Sequence, residues 1–284
     1  MGMTESPVLI KNYLPTMNRS EIFLVMVSGM GTIAGSVMGT YIGMLGGTDP
    51  AAKVLFATHL LSASVMAVPG SIVLAKMLCP QTEEATDHVA ISGKEKENSN
   101  ILDAISSGTV TGVKLMTNIA AMLLVFISLV ALANYITEGV IGRYTGLNDW
   151  IVKITDGKAQ GLTFQFILGV ITSPFMWLIG VPSQDIMLVG SLLGQKTILN
   201  EFVAYFQLQQ WKDAGLFMYE KSILMSTYIL CGFANISSIG ILLGGLGVLA
   251  PEKRGLISRI GVPAMIGGAL VSVLSATIIG MILG

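Results

Sequence analysis

SILMSTYILCGFANISSIGILLGGLGVLAP, residues 222–251, contains no Asp, Glu, Lys or Arg. A helix crosses the hydrocarbon core of a bilayer with about 20 apolar residues, so this stretch is long enough to span with residues to spare. Its middle is not uniformly apolar: CGFANISSIG, 231–240, sets Gly232, Asn235, Ser237 and Ser238 where a plain span would carry leucines. Asn235 and Ser238 are three apart and share a helical face, offering an amide and a hydroxyl to one ligand.

The pattern recurs towards the N-terminus. Residues 22–48 are also free of charge and hold TIAGSV, 32–37, a second candidate break in a span. Its freed carbonyls and hydroxyls suit a cation. Gly31, Gly35, Gly39 and Gly43 recur every four residues through it, the small-residue spacing that lets helices approach closely. Further charge-free runs longer than 20 residues cover 54–75, 115–137, 159–184 and 260–284. Residues 186–205, interrupted by Lys196 and Glu201, fit a re-entrant hairpin better than a full span, its polar backbone buried in protein or lining a cavity.

Composition agrees with the runs. Of 284 residues, 52% are hydrophobic and 12% charged, about half the charged share of an ordinary soluble domain at roughly 25%. The chain is expected to be an all-α integral membrane protein. A net charge of −1 gives no basic field for a phosphate backbone, which excludes nucleic acid as a partner. Two cysteines, Cys79 and Cys231, lie far apart in apolar surroundings and form no zinc or disulfide framework. The polar segment 80–100 reads as a solvated loop leading into an amphipathic helix at 101–113. Sorting the basic residues across the spans puts nine on the side of Lys76 and Arg254 and six on the side of Arg143 and Lys212, which makes the first side cytoplasmic.

The two halves correspond. Glu5 lies 27 residues before Thr32, and Glu201 lies 34 before Asn235, so each half pairs a carboxylate with a broken span. Interrupted segments at matching places in two halves point to a midplane transport site, and an intramembrane carboxylate is functional by default. The chain has no GxxxxGK[ST] phosphate loop, so transport would be secondary. An intramembrane enzyme using Glu5 or Glu201 as base would need a nucleophile or metal cluster beside it, and none is apparent.

Five segments, GMTESPVLIKNYL (2–14), TIAGSVMGTYIG (32–43), HLLSASVMAVPGSIVLAK (59–76), GSLLGQKTILNEFVAY (190–205) and CGFANISSIGILLGGLGVLAP (231–251), together resemble the concentrative nucleoside transporter family. The polar segment 80–113 looks most like bacterial members. The resemblance implies inverted repeats with re-entrant hairpins and discontinuous transmembrane helices. A first repeat would fill 1–79, a loop and scaffold segment 80–158, and a second repeat 159–284. It further implies a homotrimer in the inner (plasma) membrane, importing nucleosides by symport with sodium and needing no other cofactor. Proton coupling, or a scaffold role without transport, stands as the alternative.

Carried over by position, the resemblance puts Thr4 and Glu5 on the nucleobase side and Val37 against the base. Glu201, Asn235 and Ser238 would bind the ribose, and Phe233 would line the pocket. Thr32, Ile33 and Ser36 would supply oxygen ligands to sodium. Relatives carry Gln where this chain has Met3, and further spans upstream of the hairpin tip at 2–5. The sequence is therefore expected to be N-terminally truncated, and transport is expected of the full-length parent.

Overall fold

The computed structural model describes residues 2–3, 6–83, 100–155, 157 and 159–284. In chain order the helices are α1 (Ser6–Leu9), α2 (Arg19–Gly31), α3 (Gly35–Gly46), α4 (Pro50–Leu78), α5 (Ile101–Asn134), α6 (Arg143–Thr145), α7 (Leu147–Ile154), α8 (Phe164–Leu178), α9 (Ile186–Ile198), α10 (Glu201–Asp213), α11 (Glu220–Leu230), α12 (Ile236–Leu249) and α13 (Arg254–Ile282). A π-helical stretch, Tyr135–Gly142, follows α5, and a 3₁₀ turn, Pro251–Lys253, precedes α13. Among the described residues there is no strand. By length and composition Arg19–Gly46, Pro50–Leu78 and Pro251–Ile282 suffice to cross a membrane.

The chain divides into two compact units, residues 1–89 with 165–284, and residues 90–164. The first carries the two breaks. Residues 22–48 do not form one helix: α2 stops at Gly31, Thr32 adopts extended backbone (φ −119°, ψ 162°), and α3 starts at Gly35. The charge-free run 222–251 divides in the same way, into α11 and α12 with residues 231–235 unwound between them. A long helix follows each broken pair, α4 and α13, each of 29 residues and so about 44 Å long at the α-helical rise.

Helix starts follow local chemistry. Asn18 and Glu21 form a reciprocal capping box at α2, Asp49 caps α4 with Pro50 at its first position, and Asn200 and Asn235 cap α10 and α12. Each cap satisfies an amide that the helix itself cannot. The hairpin is α9 and α10, joined through Leu199 and Asn200. Asp185, fully buried, ties the start of that hairpin to the loop before α11 by accepting from the amides of Met218 (3.0 Å) and Tyr219 (3.1 Å).

Glycines set the closest packing. On α13, a Cβ at Gly268 would lie 2.7 Å from Met30 Cβ and one at Gly267 would lie 2.8 Å from Val27, so α13 lies against α2 through a bare backbone face. The stripe on the other side of the break behaves differently. Gly35, Gly39 and Gly43 are exposed, and no described residue comes within 4 Å of a Cβ placed there. Of the four, only Gly31 is a close-packing position, against Val271 at 3.2 Å.

Two other expectations shift. The run 159–184 yields α8, only 15 residues and about 22 Å long; the chain leaves the helix through Gly180 at φ +85° and Pro182. The amphipathic segment and the run that follows it form one helix, α5, of 34 residues. In this second unit the Asn148 side chain donates to the Glu138 carbonyl (3.0 Å) and accepts from the Leu162 amide (3.0 Å).

Candidate functional site

Glu201 opens α10 just past the tip of the hairpin. It is 7% exposed, and its two oxygens are held from different elements. Oε2 accepts from Asn235 Nδ2 at 3.0 Å, across the second break, and Oε1 accepts from Tyr41 Oη on α3 at 3.4 Å. A buried carboxylate must find such donors or be neutralised. The Tyr41 bond is longer than a strong O–H···O bond, so Asn235 is the tighter restraint. Lys196 does not pair with Glu201; its ammonium donates to the Ile229 carbonyl (2.8 Å) and Ser272 Oγ (3.0 Å).

Asn235 is bound on both ends of its amide. Oδ1 accepts from the Ser238 amide (2.9 Å), Ser238 Oγ (3.0 Å) and Ser237 Oγ (2.7 Å). The pair 235/238 therefore forms an N-cap, with the Asn235 oxygen turned into the helix start. The second N–H of its NH₂, the lone pairs of Ser238 Oγ and the further lone pairs of Glu201 are left to meet a ligand. Both residues are buried, at 2% and 1% exposure. Phe233, in the break, packs against both hydrophobic core clusters, each of which draws on the N-terminal and the C-terminal parts of the chain.

Val37 is one turn before Tyr41 on α3 and packs against the same cluster that holds Tyr41, Tyr205 and Leu230. The rings of Tyr41 and Tyr205 stack with centroids 4.0 Å apart and planes 22° from parallel, and Tyr205 Oη donates to the Thr227 carbonyl at 2.8 Å. Tyr41 and Tyr205 were not singled out by sequence. The available signal was a phenol in a charge-free run, four residues after Val37.

At the first break Ile33 is buried, Thr32 half-buried and Ser36 exposed. Thr32 Oγ1 donates to the Ser28 carbonyl at 3.0 Å, and Ala34 begins α3 without a side-chain cap. The breaks lie against each other: Gly232 has φ +141°, and a Cβ there would sit 2.9 Å from the Met30 carbonyl oxygen. The structure thus brings Glu201, Asn235 and Ser238 into one bonded cluster, with Val37 on the adjoining face and Thr32, Ile33 and Ser36 at the neighbouring break. Thr4 and Glu5 lie outside the described residues. His59, on α4, is a packing histidine whose Nδ1 lies 3.1 Å from Tyr228 Oη.

Comparison with known proteins adds the context. Residues 59–280 match the family described as Na+ dependent nucleoside transporter C-terminus. An uncharacterized transporter of Haemophilus influenzae is 39% identical over all of this chain and 64% of its own length. The sodium/nucleoside cotransporter 1 of Rattus norvegicus is 38% identical over 99% of this chain and 42% of its own. The chain thus spans less than two thirds of the length of either relative. CNTnw in an inward-facing, substrate-bound state superimposes with a TM-score of 0.81 at 36% identity, covering 99% of this chain and 61% of that one. An outward-facing variant of CNTnw gives 0.84 at 35%. Its re-entrant hairpin, its paired helix breaks and the match over residues 59–280 show that the chain belongs to the Na+ dependent nucleoside transporter family, whose members are multi-pass membrane transporters and not enzymes.

Proposed function

We propose that this chain forms the substrate-binding part of a secondary transporter that imports nucleosides together with sodium. The observation that carries the reading is the buried Glu201 carboxylate, steadied by Asn235 from the second break and by Tyr41 from α3. A carboxylate accepts from two vicinal hydroxyls at once, which suits a ribose. Asn235 and Ser238 complete the sugar side, Phe233 lines the pocket, Val37 packs on the base, and Thr4 and Glu5 are assigned to base recognition.

Sodium is a co-substrate bound at the first break. Thr32, Ile33 and Ser36 offer hydroxyl and carbonyl oxygens, the hard donors that an alkali cation prefers to sulfur or imidazole. Residues 1–79 and 159–284 act as two repeats around that site, with 80–158 as loop and scaffold. The protein works as a homotrimer in the plasma membrane, the inner membrane of a bacterial cell. Lipid covers the remaining apolar surface.

Uptake of labelled uridine and adenosine by cells expressing the protein tests the reading. Uptake is expected to be saturable, to fall when choline replaces sodium at constant pH, and to drop about 100-fold or more in Glu201→Gln. That drop corresponds to losing charge-assisted bonds of about 1.5–3 kcal/mol each. Undiminished uptake by Glu201→Gln would refute the assignment of the carboxylate.

A further inference from the structure

Lys196 is fully buried on a hairpin set in the membrane, and the binding scheme above gives it no part. A charged side chain at such depth is costly unless it has partners, and marks function by default. Its partners here are a backbone carbonyl and a hydroxyl. Nζ donates to the Ile229 carbonyl at 2.8 Å and to Ser272 Oγ at 3.0 Å, and Ser272 Oγ donates to the Cys231 carbonyl at 2.8 Å. Ile229 lies in the last turn of α11 and Cys231 is the first unwound residue.

The carbonyl end of a helix carries roughly half a negative charge and four acceptors with no helical partner. When a helix stops inside a membrane, water is not there to meet them. At α11 the hairpin answers from both arms: Lys196 of α9 takes the Ile229 carbonyl and Tyr205 of α10 takes that of Thr227. At α2 the corresponding carbonyls have, among the described residues, one side-chain donor, Thr32 Oγ1 on Ser28.

We propose that Lys196 is the resident cation of the second break, a positioning residue. Its tethered ammonium does for residues 231–235 what a free ion would do for the first break. By holding the Ile229 carbonyl and, through Ser272, that of Cys231, it fixes the segment that presents Phe233 and Asn235 to Glu201. Hairpin, break and α13 are thereby clamped as one body. The substrate half of this inference rests on the nucleoside reading of Glu201; the clamping half does not.

The test uses two readouts on the purified protein in a Cys79→Ser background, which leaves Cys231 as the one thiol of the 284 residues. Cys231 is 2% exposed, and its alkylation by N-ethylmaleimide, followed by intact mass, reports whether the break stays closed. Lys196→Met keeps the stem and removes the charge; Lys196→Arg keeps the charge and adds bulk. A charge role predicts alkylation about tenfold faster, and uridine binding about tenfold weaker, in Lys196→Met, with Lys196→Arg within about threefold of the parent, the scale of a charge-assisted bond. A role of size alone reverses the order of the two variants and overturns the proposal. Parental protection of Cys231 in Lys196→Met also overturns it. If Lys196→Met elutes as aggregate, Ser272→Ala carries the decision, with alkylation expected about threefold faster than the parent and a parental rate counting against the clamp. Absence of uridine binding in the parent itself would refute the nucleoside reading, and the alkylation series would still decide the role of Lys196.

Discussion

The two helix breaks are built alike in sequence and differently in chemistry. At the second, Tyr205, Lys196 and Ser272 meet the carbonyls of Thr227, Ile229 and Cys231, and Asn235 caps the helix that follows. At the first, among the described residues, one hydroxyl from the same helix end meets one carbonyl, and Ala34 precedes the next helix without a side-chain cap. Among the described residues the second break thus has three side-chain donors on its carbonyls and the first has one. Interrupted helices of the same outline can therefore differ in how their exposed carbonyls are met, a difference on which the proposed division into a sugar site and an ion site depends.

The strongest way to break this comparison is at the point where the two segments touch. Gly232→Val puts a branched side chain at φ +141°, with its Cβ 2.9 Å from the Met30 carbonyl oxygen. Strained backbone alone costs about 1–3 kcal/mol and overpacking a similar amount. The melting temperature in detergent is expected to drop sharply, with uptake lost; a parental melting curve would mean that the breaks are not pressed together. Asn235→Ala is a smaller lesion. It removes a cap worth about 1 kcal/mol and one donor to Glu201, so nucleoside affinity is expected to fall about tenfold while the protein remains folded. Equal affinity in titration calorimetry would detach the cap from the site. The smallest effect sharpens the contrast from the other side. Gly39 is open where Gly268 is filled, so Gly39→Ala is expected to leave stability unchanged or raise it by up to about 1 kcal/mol, whereas Gly268→Ala lowers it. A loss at Gly39 would reveal a neighbour on that face.

Much of this fold is legible in the amino acids because lipid imposes a simple length rule. Three of the charge-free runs, 22–48, 54–75 and 260–284, overlap the stretches long and apolar enough to cross a membrane, and Gly232, Asn235 and Ser238 marked one interruption. The rule fails where a run is apolar for another reason: 159–184 ends in a turn at Gly180 and Pro182, and charge counting is blind to a turn. The glycine stripe on α3 had the spacing of a packing face, yet spacing says nothing about which side a neighbour occupies. The site was legible in part. Glu201 and Asn235 stand out as polar groups in apolar surroundings. Their bond spans 34 positions and that of Tyr41 to Glu201 spans 160, and pairings at such separation are decided by tertiary packing. The partners of Lys196, the Ile229 carbonyl and Ser272 Oγ, lie 33 and 76 positions away, beyond the reach of any local spacing rule.

The bare face of α13 sets a timetable. Val27 on α2 meets Gly267, a residue made 240 positions later. At about 5–20 residues per second of synthesis, α2 waits on the order of 10–50 s for the surface that buries it. Throughout that interval α2 has α4 beside it, but the face that α13 will cover must rest against lipid or borrowed partners. Side chains added at Gly267 or Gly268 therefore act first on the newborn chain, as failed assembly and proteolysis, and only afterwards on the kinetics of whatever molecules survive.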